Sequence, residues 1–395
     1  MIGISKLYCG TVESSDALRY DRDSGKLPSH LLQFSKDKKP VVVWNVTRRC
    51  NLRCIHCYSQ SADLDYKGEL TTPEGLALID DLAAFGVPVL LFSGGEPLLR
   101  DDLLTLVAAA RKRGIRAVIS TNGTLITDER AASFRDAGLS YVGISIDGLE
   151  AVHDRFRGVS GAYARALAGI RACRKAGVKV GLRFTVNRIN VEEIPGVFDL
   201  LEKEGIPRIC FYHLVYTGRA TELVEEDLDA AATRATVDLI VERTAALHKK
   251  GIPAEVLTVD NHADGVYLYL RLLKEQPQRA ADVLRLLRMN GGNSTGHGIG
   301  CVSWDGTVHP DQFWRHYSVG NVRTRPFSEL WASGGDRLLA NLRNRKQLLT
   351  GKCGRCAWKD ICNGNLRERA EAVHSDVWAE DPACYLTEDE IANQP

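Results

Sequence analysis

PVVVWNVTRRCNLRCIHC, residues 40–57, sets a valine-rich apolar run directly ahead of three cysteines. A run apolar on both faces suits a strand of a parallel sheet with helices covering both sides. Five further runs have the same character, at 87–94, 116–123, 141–148, 179–187 and 208–215. Between them lie helix-patterned segments such as TPEGLALIDDLAAFG and DLLTLVAAARKRG, the latter ending on Gly114 as a C-cap. Strand and helix alternating at this spacing make βαβ units. Six repeats predict an α/β fold, a partial six-unit (β/α)6 TIM-type barrel, with chemistry at the C-terminal ends of the strands. A doubly wound open sheet is the competing architecture, although the first strand lacks a following G-x-G-x-x-G turn.

Outward from this core the pattern changes. Residues 1–38 show weak periodicity and read as an irregular N-terminal extension, with the barrel over 39–290. A long helical stretch, EEDLDAAATRATVDLIVERTAALHKKG, leads to a glycine-rich loop at 289–300. CVSWDGTVHPDQFW then reads as a hairpin turning at Asp305-Gly306, and FSELWASGGDRLLANLRNR as one helix. These belong to a second, smaller domain over 291–395.

The 51 basic and 50 acidic residues leave a formal net charge of +1, which makes no case for nucleic acid or a membrane surface as partner. The N-terminus lacks the features of a secretory signal, and no window approaches the roughly 20 apolar residues of a membrane span. A cytoplasmic protein is expected. Eleven cysteines in a reducing compartment are read as metal or iron–sulfur ligands where they cluster, at Cys50–Cys57 and Cys353–Cys362.

Cys50-x3-Cys54-x2-Cys57 follows the first predicted strand, where a barrel's active-site loop belongs. Three thiolates can hold three corners of a four-iron cluster. Zinc is the alternative, but a structural zinc site normally takes four ligands, and His56 between two cysteines is a poor fourth. The pattern Cys-x3-Cys-x-aromatic-Cys after a first strand resembles the radical S-adenosylmethionine enzymes. The resemblance implies that S-adenosylmethionine chelates the fourth iron of a 4Fe–4S cluster and is cleaved to a 5′-deoxyadenosyl radical. His56 stands where that family usually has an aromatic residue, and still offers a flat ring to the adenine.

Polar groups follow the other strands: Gly94-Gly95-Glu96-Pro97, Ser120-Thr121-Asn122-Gly123 and Ser145-Ile146-Asp147. Taken singly these are turn chemistry. The resemblance assigns Gly94, Gly95 and Glu96 to the methionyl amino group, and Thr121, Asn122, Ser145 and Asp147 to the ribose and carboxylate of the cofactor.

Cys353-x2-Cys356-x5-Cys362, with Cys384 further on, makes a closed four-thiolate site for zinc or a 4Fe–4S cluster. The segment also resembles the SPASM extension, which carries auxiliary clusters. That extension commonly holds two, but here the cysteine expected shortly after Gly320-Asn321-Val322 is missing, and Leu366 stands where another is expected. One auxiliary 4Fe–4S cluster is therefore predicted. Cys301 is a spare ligand or, on balance, a buried thiol. Cys173 and Cys210 read as structural, and Cys9 stays open.

MIGISKLYCGTVE, SHLLQFSKDKKPVVVWNVTRRCNLRCIHCYS and GHGIGCVSWDGTVHPDQFW together resemble the tetrapyrrole-modifying branch of the family. The resemblance implies haem biosynthesis through siroheme, with loss of two acetate side chains from didecarboxysiroheme to give iron–coproporphyrin III. It also implies an electron donor such as a ferredoxin or flavodoxin, and a monomer. An iron tetrapyrrole calls for cations and an axial or proton-donating group. The candidates are Arg183, Arg219 and Arg315, with His213, His262, His297, His309 and His316; His309 and His297 are the preferred catalytic pair. Sister tetrapyrrole enzymes, namely the iron–coproporphyrin decarboxylase and the nitrite-reductase haem maturase, remain alternatives. So does a peptide maturase, although only 49 residues precede Cys50, fewer than a leader-recognition domain usually takes. An iron–sulfur electron carrier is the non-enzymatic alternative, but it has no use for an open iron.

Overall fold

Val41–Thr47 forms the strand that the opening run predicts, and all but its first residue are buried. In the computed structural model, which describes residues 1–12, 16–20 and 39–392, it lies inside one eleven-stranded sheet, where the parallel strands meet the C-terminal hairpin. The strands are β1 (Ile2–Gly3), β2 (Val41–Thr47), β3 (Val89–Gly94), β4 (Arg116–Thr121), β5 (Tyr141–Ser145), β6 (Val180–Val186), β7 (Arg208–His213), β8 (Glu255–Val259), β9 (Ile299–Val302), β10 (Thr307–His309) and β11 (Gly320–Asn321). β2 to β8 pair in parallel, each with its successor in the chain.

That sequential order sets the doubly wound alternative aside, since such a sheet must reverse its strand order at a switch point. The sheet does not close, because β1 ends it on one side and β11 on the other. This is a partial barrel with a SPASM-type hairpin at its edge: β9 runs parallel to β2, pairing Val43 with Cys301, and β10 folds back antiparallel.

Local chemistry explains the covering helices. Helix Thr72–Phe85 opens on a capping box between Thr71 and Glu74 and stops at Gly86 in the left-handed region. Helix Leu103–Lys112 buries Leu103, Leu106, Val107 and Ala110, one face at helical spacing. Inside the fold Trp44 and Phe92 meet with ring centroids 5.9 Å apart.

Three expectations are corrected. A seventh parallel barrel strand, β8, follows the long helix Ala230–Lys249. The start of the chain is not irregular: β1 pairs with β8, Ser5–Cys9 makes a π-helical turn, and Asp16–Tyr20 is helical. Residues 13–15 and 21–38 of the expected extension lie outside the described residues. The single helix expected over 327–345 is two, Phe327–Ala332 and Arg337–Arg343, parted at Gly334-Gly335 where helix propensity is lowest. Cys173 and Cys210 are buried in helix Ala162–Lys175 and β7, as structural thiols would be, while Cys9 is half-buried.

Candidate active site

The ladder between β2 and β3 shifts register between Asn45 and Thr47, where the chain leaves the sheet as the cysteine loop. Gly94 and Gly95 meet that loop directly. A Cβ on Gly94 would lie 2.2 Å from the Thr47 carbonyl oxygen, and one on Gly95 2.1 Å from that of Arg49. Gly95 N donates to Thr47 O and Glu96 N to Arg49 O, both at 2.8 Å. The glycines therefore admit the backbone of the cysteine loop, a nearer partner than the small charged ligand expected of them.

Helix Glu150–Arg157, which follows β5, holds the other side. Arg53 N and Ile55 N each donate at 3.1 Å to carbonyls of Arg157 and Phe156. The His56 ring lies flat on Phe156, 4.4 Å between centroids. Arg157 reaches both the Asp147 carboxylate and, at 3.5 Å, the Cys54 sulfur. Arg219 donates to the carbonyls of Cys54 (2.7 Å) and Ser61 (3.0 Å), so it braces the loop from β7's side.

Cys50 and Cys54 are buried with Leu52 and Ala162, and Cys57 is packed beside them. Burial pushes the Cys50 and Cys54 thiols up. Burial also opposes ionisation of Cys57, but hydrogen bonds from Ser59 and from the Ser61 backbone prevail and hold it low. Three thiols on one short loop, with an arginine at one sulfur and a hydroxyl 3.3 Å from another, fit a three-corner cluster cradle.

The strand-end carboxylates are already engaged. Glu96 is fully buried and accepts from Thr121 Oγ1 (2.7 Å), Asn122 N (2.8 Å) and Leu98 N (3.1 Å), tying β3 to β4. Asn122 donates to Asn51 Oδ1 at 2.8 Å and accepts from Thr124. Asp147, also fully buried, accepts from Arg157 and from Thr185 N (2.7 Å). Ser145 is half-buried at the end of β5. Thr121, Asn122, Glu96 and Asp147 thus form a frame behind the cysteine loop.

Cys353, Cys356, Cys362 and Cys384 line one narrow cavity together with Lys352 and Lys359. Trp358 N donates to the Cys356 sulfur at 3.4 Å, and Arg367 lies 3.8 Å from that of Cys353. Burial raises the Cys362 thiol, and the other three cysteines raise it further. Four mutually repelling thiolates in one cavity fit a cationic cluster core. Among the described residues no three His, Cys, Asp or Glu side chains converge as ligands of a single metal ion. Leu366 is buried as an apolar side chain, and its N–H donates to Asp381 at 2.9 Å. Cys301 is fully buried in β9, where Asn45 donates to its sulfur at 3.5 Å.

Next to the cysteine loop, with Tyr58 and Gln60 on its wall, opens a cavity of about 710 Å³. Its walls include Tyr58, Tyr216, Arg315 and His316. Sequence reasoning reached the last two but missed Glu368 and Glu371, which also line it. Glu371 bonds His316 (3.2 Å) and Trp314, an ion pair that raises the histidine.

The preferred histidines are elsewhere. His309 has both ring nitrogens engaged inside the hairpin, with Tyr317 O at 2.7 Å and Ser303 Oγ at 2.9 Å, and burial lowers its pKa. His297 is exposed on the glycine loop and is not among the residues lining the cavity. His213 bonds Asp264 at 2.9 Å, and His262 bonds the Met1 amino group at 3.1 Å. Arg183 lies over the Tyr212 ring at 4.6 Å.

Residues 44–201 match the radical SAM superfamily, and 297–357 match an iron–sulfur cluster-binding domain, SPASM. The chain is 66% identical to the Fe-coproporphyrin III synthase of Methanosarcina barkeri over 99% of both chains. It is 47% identical to the pre-heme d1 synthase of Dinoroseobacter shibae, over 88% of this chain and 87% of that one. Among solved structures, Streptococcus suis SuiB bound to S-adenosylmethionine superposes with a TM-score of 0.70 at 18% identity, over 88% of this chain and 78% of that one. At that identity the likeness is one of fold.

Proposed function

The chain belongs to the radical S-adenosylmethionine superfamily, and we propose that it removes the two acetate side chains of didecarboxysiroheme to give iron–coproporphyrin III. The observation that carries this reading is the 66% identity, end to end, with a protein named for that product. The enzyme takes one 4Fe–4S cluster with S-adenosylmethionine and one auxiliary 4Fe–4S cluster. When bound, the first cluster and its cofactor supply a 5′-deoxyadenosyl radical that takes hydrogen from an unactivated carbon.

The chain's own residues set where that happens. Cys50, Cys54 and Cys57 offer three ligands to four irons, leaving one corner for the cofactor. The frame of Gly94, Gly95, Glu96, Thr121, Asn122, Ser145 and Asp147 borders the cofactor, with Glu96 and Asp147 holding the frame rather than the ligand. The cavity beside Tyr58, Arg315 and His316 receives the tetrapyrrole. Cys353, Cys356, Cys362 and Cys384 hold the auxiliary cluster, placed to pass electrons to or from substrate. His316, whose pKa the Glu371 carboxylate raises, is the cavity histidine best placed to give a proton, in place of His309 and His297.

No helix among the described residues is long and apolar enough to cross a membrane. The enzyme works in the cytoplasm as a monomer, reduced by a small ferredoxin or flavodoxin, with the barrel over 39–290 and the auxiliary-cluster domain over 291–395.

The test presents didecarboxysiroheme, iron–coproporphyrin III and siroheme separately to the reduced, cluster-loaded enzyme under anaerobic conditions. Consumption of didecarboxysiroheme alone, with iron–coproporphyrin III as product, supports the reading. Decarboxylation of iron–coproporphyrin III instead would reassign the enzyme to its sister step.

A further inference from the structure

Around the cysteine loop Arg49 pairs with Asp63 at 2.8 Å and Arg323 with Glu74 at 2.6 Å, and Arg219 is engaged by the carbonyls of Cys54 and Ser61. Two further arginines have neither kind of partner. Arg48, two residues before Cys50, and Arg315, on the cavity wall, make no ion pair among the described residues, and the Nε of each is buried without a hydrogen-bond partner. Both guanidinium groups rest on one indole. Arg315 lies 4.9 Å and Arg48 5.2 Å from the Trp304 ring, and Tyr66 supports Arg48 at 4.7 Å.

Bringing two cations together with no anion between them is unfavourable. Burial first, and the Arg48 charge second, make the Arg315 cation harder to hold. The aromatic faces orient the guanidinium planes and offset part of that cost, but they accept no N–H bonds. What such a pair lacks is a planar anion that takes N–H donors two at a time, which is the geometry of a carboxylate.

We propose that Arg48 and Arg315, braced on Trp304, form a clamp for a carboxylate side chain of the tetrapyrrole. This rests on the substrate reading above and adds to it the residues that orient the macrocycle. One arginine comes from the cysteine loop and the other from the hairpin domain. The clamp therefore fixes substrate relative to the radical source and the auxiliary cluster at once. The carboxylate it holds is one the reaction leaves in place, because a group held by two arginines is a poor choice to expel. S-adenosylmethionine also carries a carboxylate, so the test separates the two sources.

The cluster-loaded enzyme, wild type and as Arg315→Gln, Arg48→Gln and the double variant, is titrated with iron–coproporphyrin III and with its methyl ester, whose carboxylates are blocked. S-adenosylmethionine binding and the iron–sulfur electron paramagnetic resonance signal are measured alongside. The clamp predicts that Arg315→Gln weakens binding of the acid by about tenfold or more, the loss of charge-assisted hydrogen bonds. The double variant weakens it further, and Arg315→Lys restores part of it. Binding of the ester and of S-adenosylmethionine stays unchanged. Equal weakening of acid and ester, unaltered binding of the acid in every variant, or weakened S-adenosylmethionine binding in its place would each overturn the clamp. Arg315→Gln is remote in sequence from the cluster ligands, so it decides the matter even if Arg48→Gln disturbs the loop. Binding of iron–coproporphyrin III tests the clamp, whereas conversion of didecarboxysiroheme tests the substrate reading, so either can fail alone.

Discussion

Asp381→Asn should cost the enzyme a large part of its stability and loosen the auxiliary cluster. Arg369 and Asp381 are both fully buried, with Nη2 and Oδ2 2.9 Å apart and a second bond from Nε to Oδ1 at 3.0 Å. Arg369 also donates to the carbonyls of Leu214 (3.0 Å), just past β7, and Asp260 (2.6 Å), just past β8. Asp381 in turn accepts from Leu366 N (2.9 Å) and Ala383 N (3.0 Å), next to Cys384. One ion pair thus ties the ends of two barrel strands to the loops carrying Cys362 and Cys384. Burial works against the Asp381 carboxylate, but Arg369 and its other donors prevail and hold its pKa below the usual range. Neutralising it leaves Arg369 charged in a dry interior, at a cost of about 3–5 kcal/mol. For a chain of this length that corresponds to a fall in Tm of roughly 4–6 °C. The assay is anaerobic thermal unfolding of the cluster-loaded enzyme, with iron retention read after a mild heat step. Replacing both partners by apolar residues, Arg369→Met with Asp381→Leu, should recover part of the loss, since no charge is then stranded although the N–H groups of Leu366 and Ala383 lose an acceptor. A shift under about 1 °C in Asp381→Asn, or a double variant no better than the single, would refute the reasoning. Because the folded pKa is depressed, the pair's stabilisation is present above the carboxyl's unfolded value and fades as pH falls through its folded one.

Further outcomes follow from the same geometry. Gly95→Ala should displace the Arg49 carbonyl, 2.1 Å from the new Cβ, and with it the cysteine loop; purified protein should carry about half its iron, with the auxiliary signal intact. Arg157→Gln strands the buried Asp147 and removes the donor at Cys54. It should lower 5′-deoxyadenosine formation by at least about tenfold, measured with and without tetrapyrrole. Replacing Cys353 and Cys356 together by serine should abolish deacetylation yet leave uncoupled cleavage of S-adenosylmethionine; equal loss of both would make the auxiliary cluster structural. Air should bleach the three-cysteine cluster first, because one of its irons lacks a protein ligand.

How much of this was legible beforehand depended on the range of the interaction. β2 to β7 are long apolar runs with local signatures, and they stand where the pattern places them. β8 opens on Glu255, a charge buried by pairing with Arg19 from the far N-terminal region. No local pattern discloses that. β1 has two residues and exists only because β8 offers an edge. The two cysteine groups were visible because spacing along the chain is a local property, and the fold gathers each of them, on one loop and around one cavity. Glu96 and Asp147 were picked out for the right neighbourhood but assigned to the cofactor, whereas their oxygens are taken by Thr121, Asn122, Leu98, Arg157 and Thr185. Arg157 and Arg219 stand 103 and 165 residues from Cys54, and Arg48 and Arg315 meet only across Trp304. Such pairings are set by the folded sheet and have no signature along the chain.

The most direct test of the account is one anaerobic incubation of reduced, cluster-loaded enzyme with S-adenosylmethionine and didecarboxysiroheme, followed by mass spectrometry. The account predicts iron–coproporphyrin III, with both acetate side chains lost and one 5′-deoxyadenosine formed for each. An enzyme with its iron in place that forms no 5′-deoxyadenosine would contradict it.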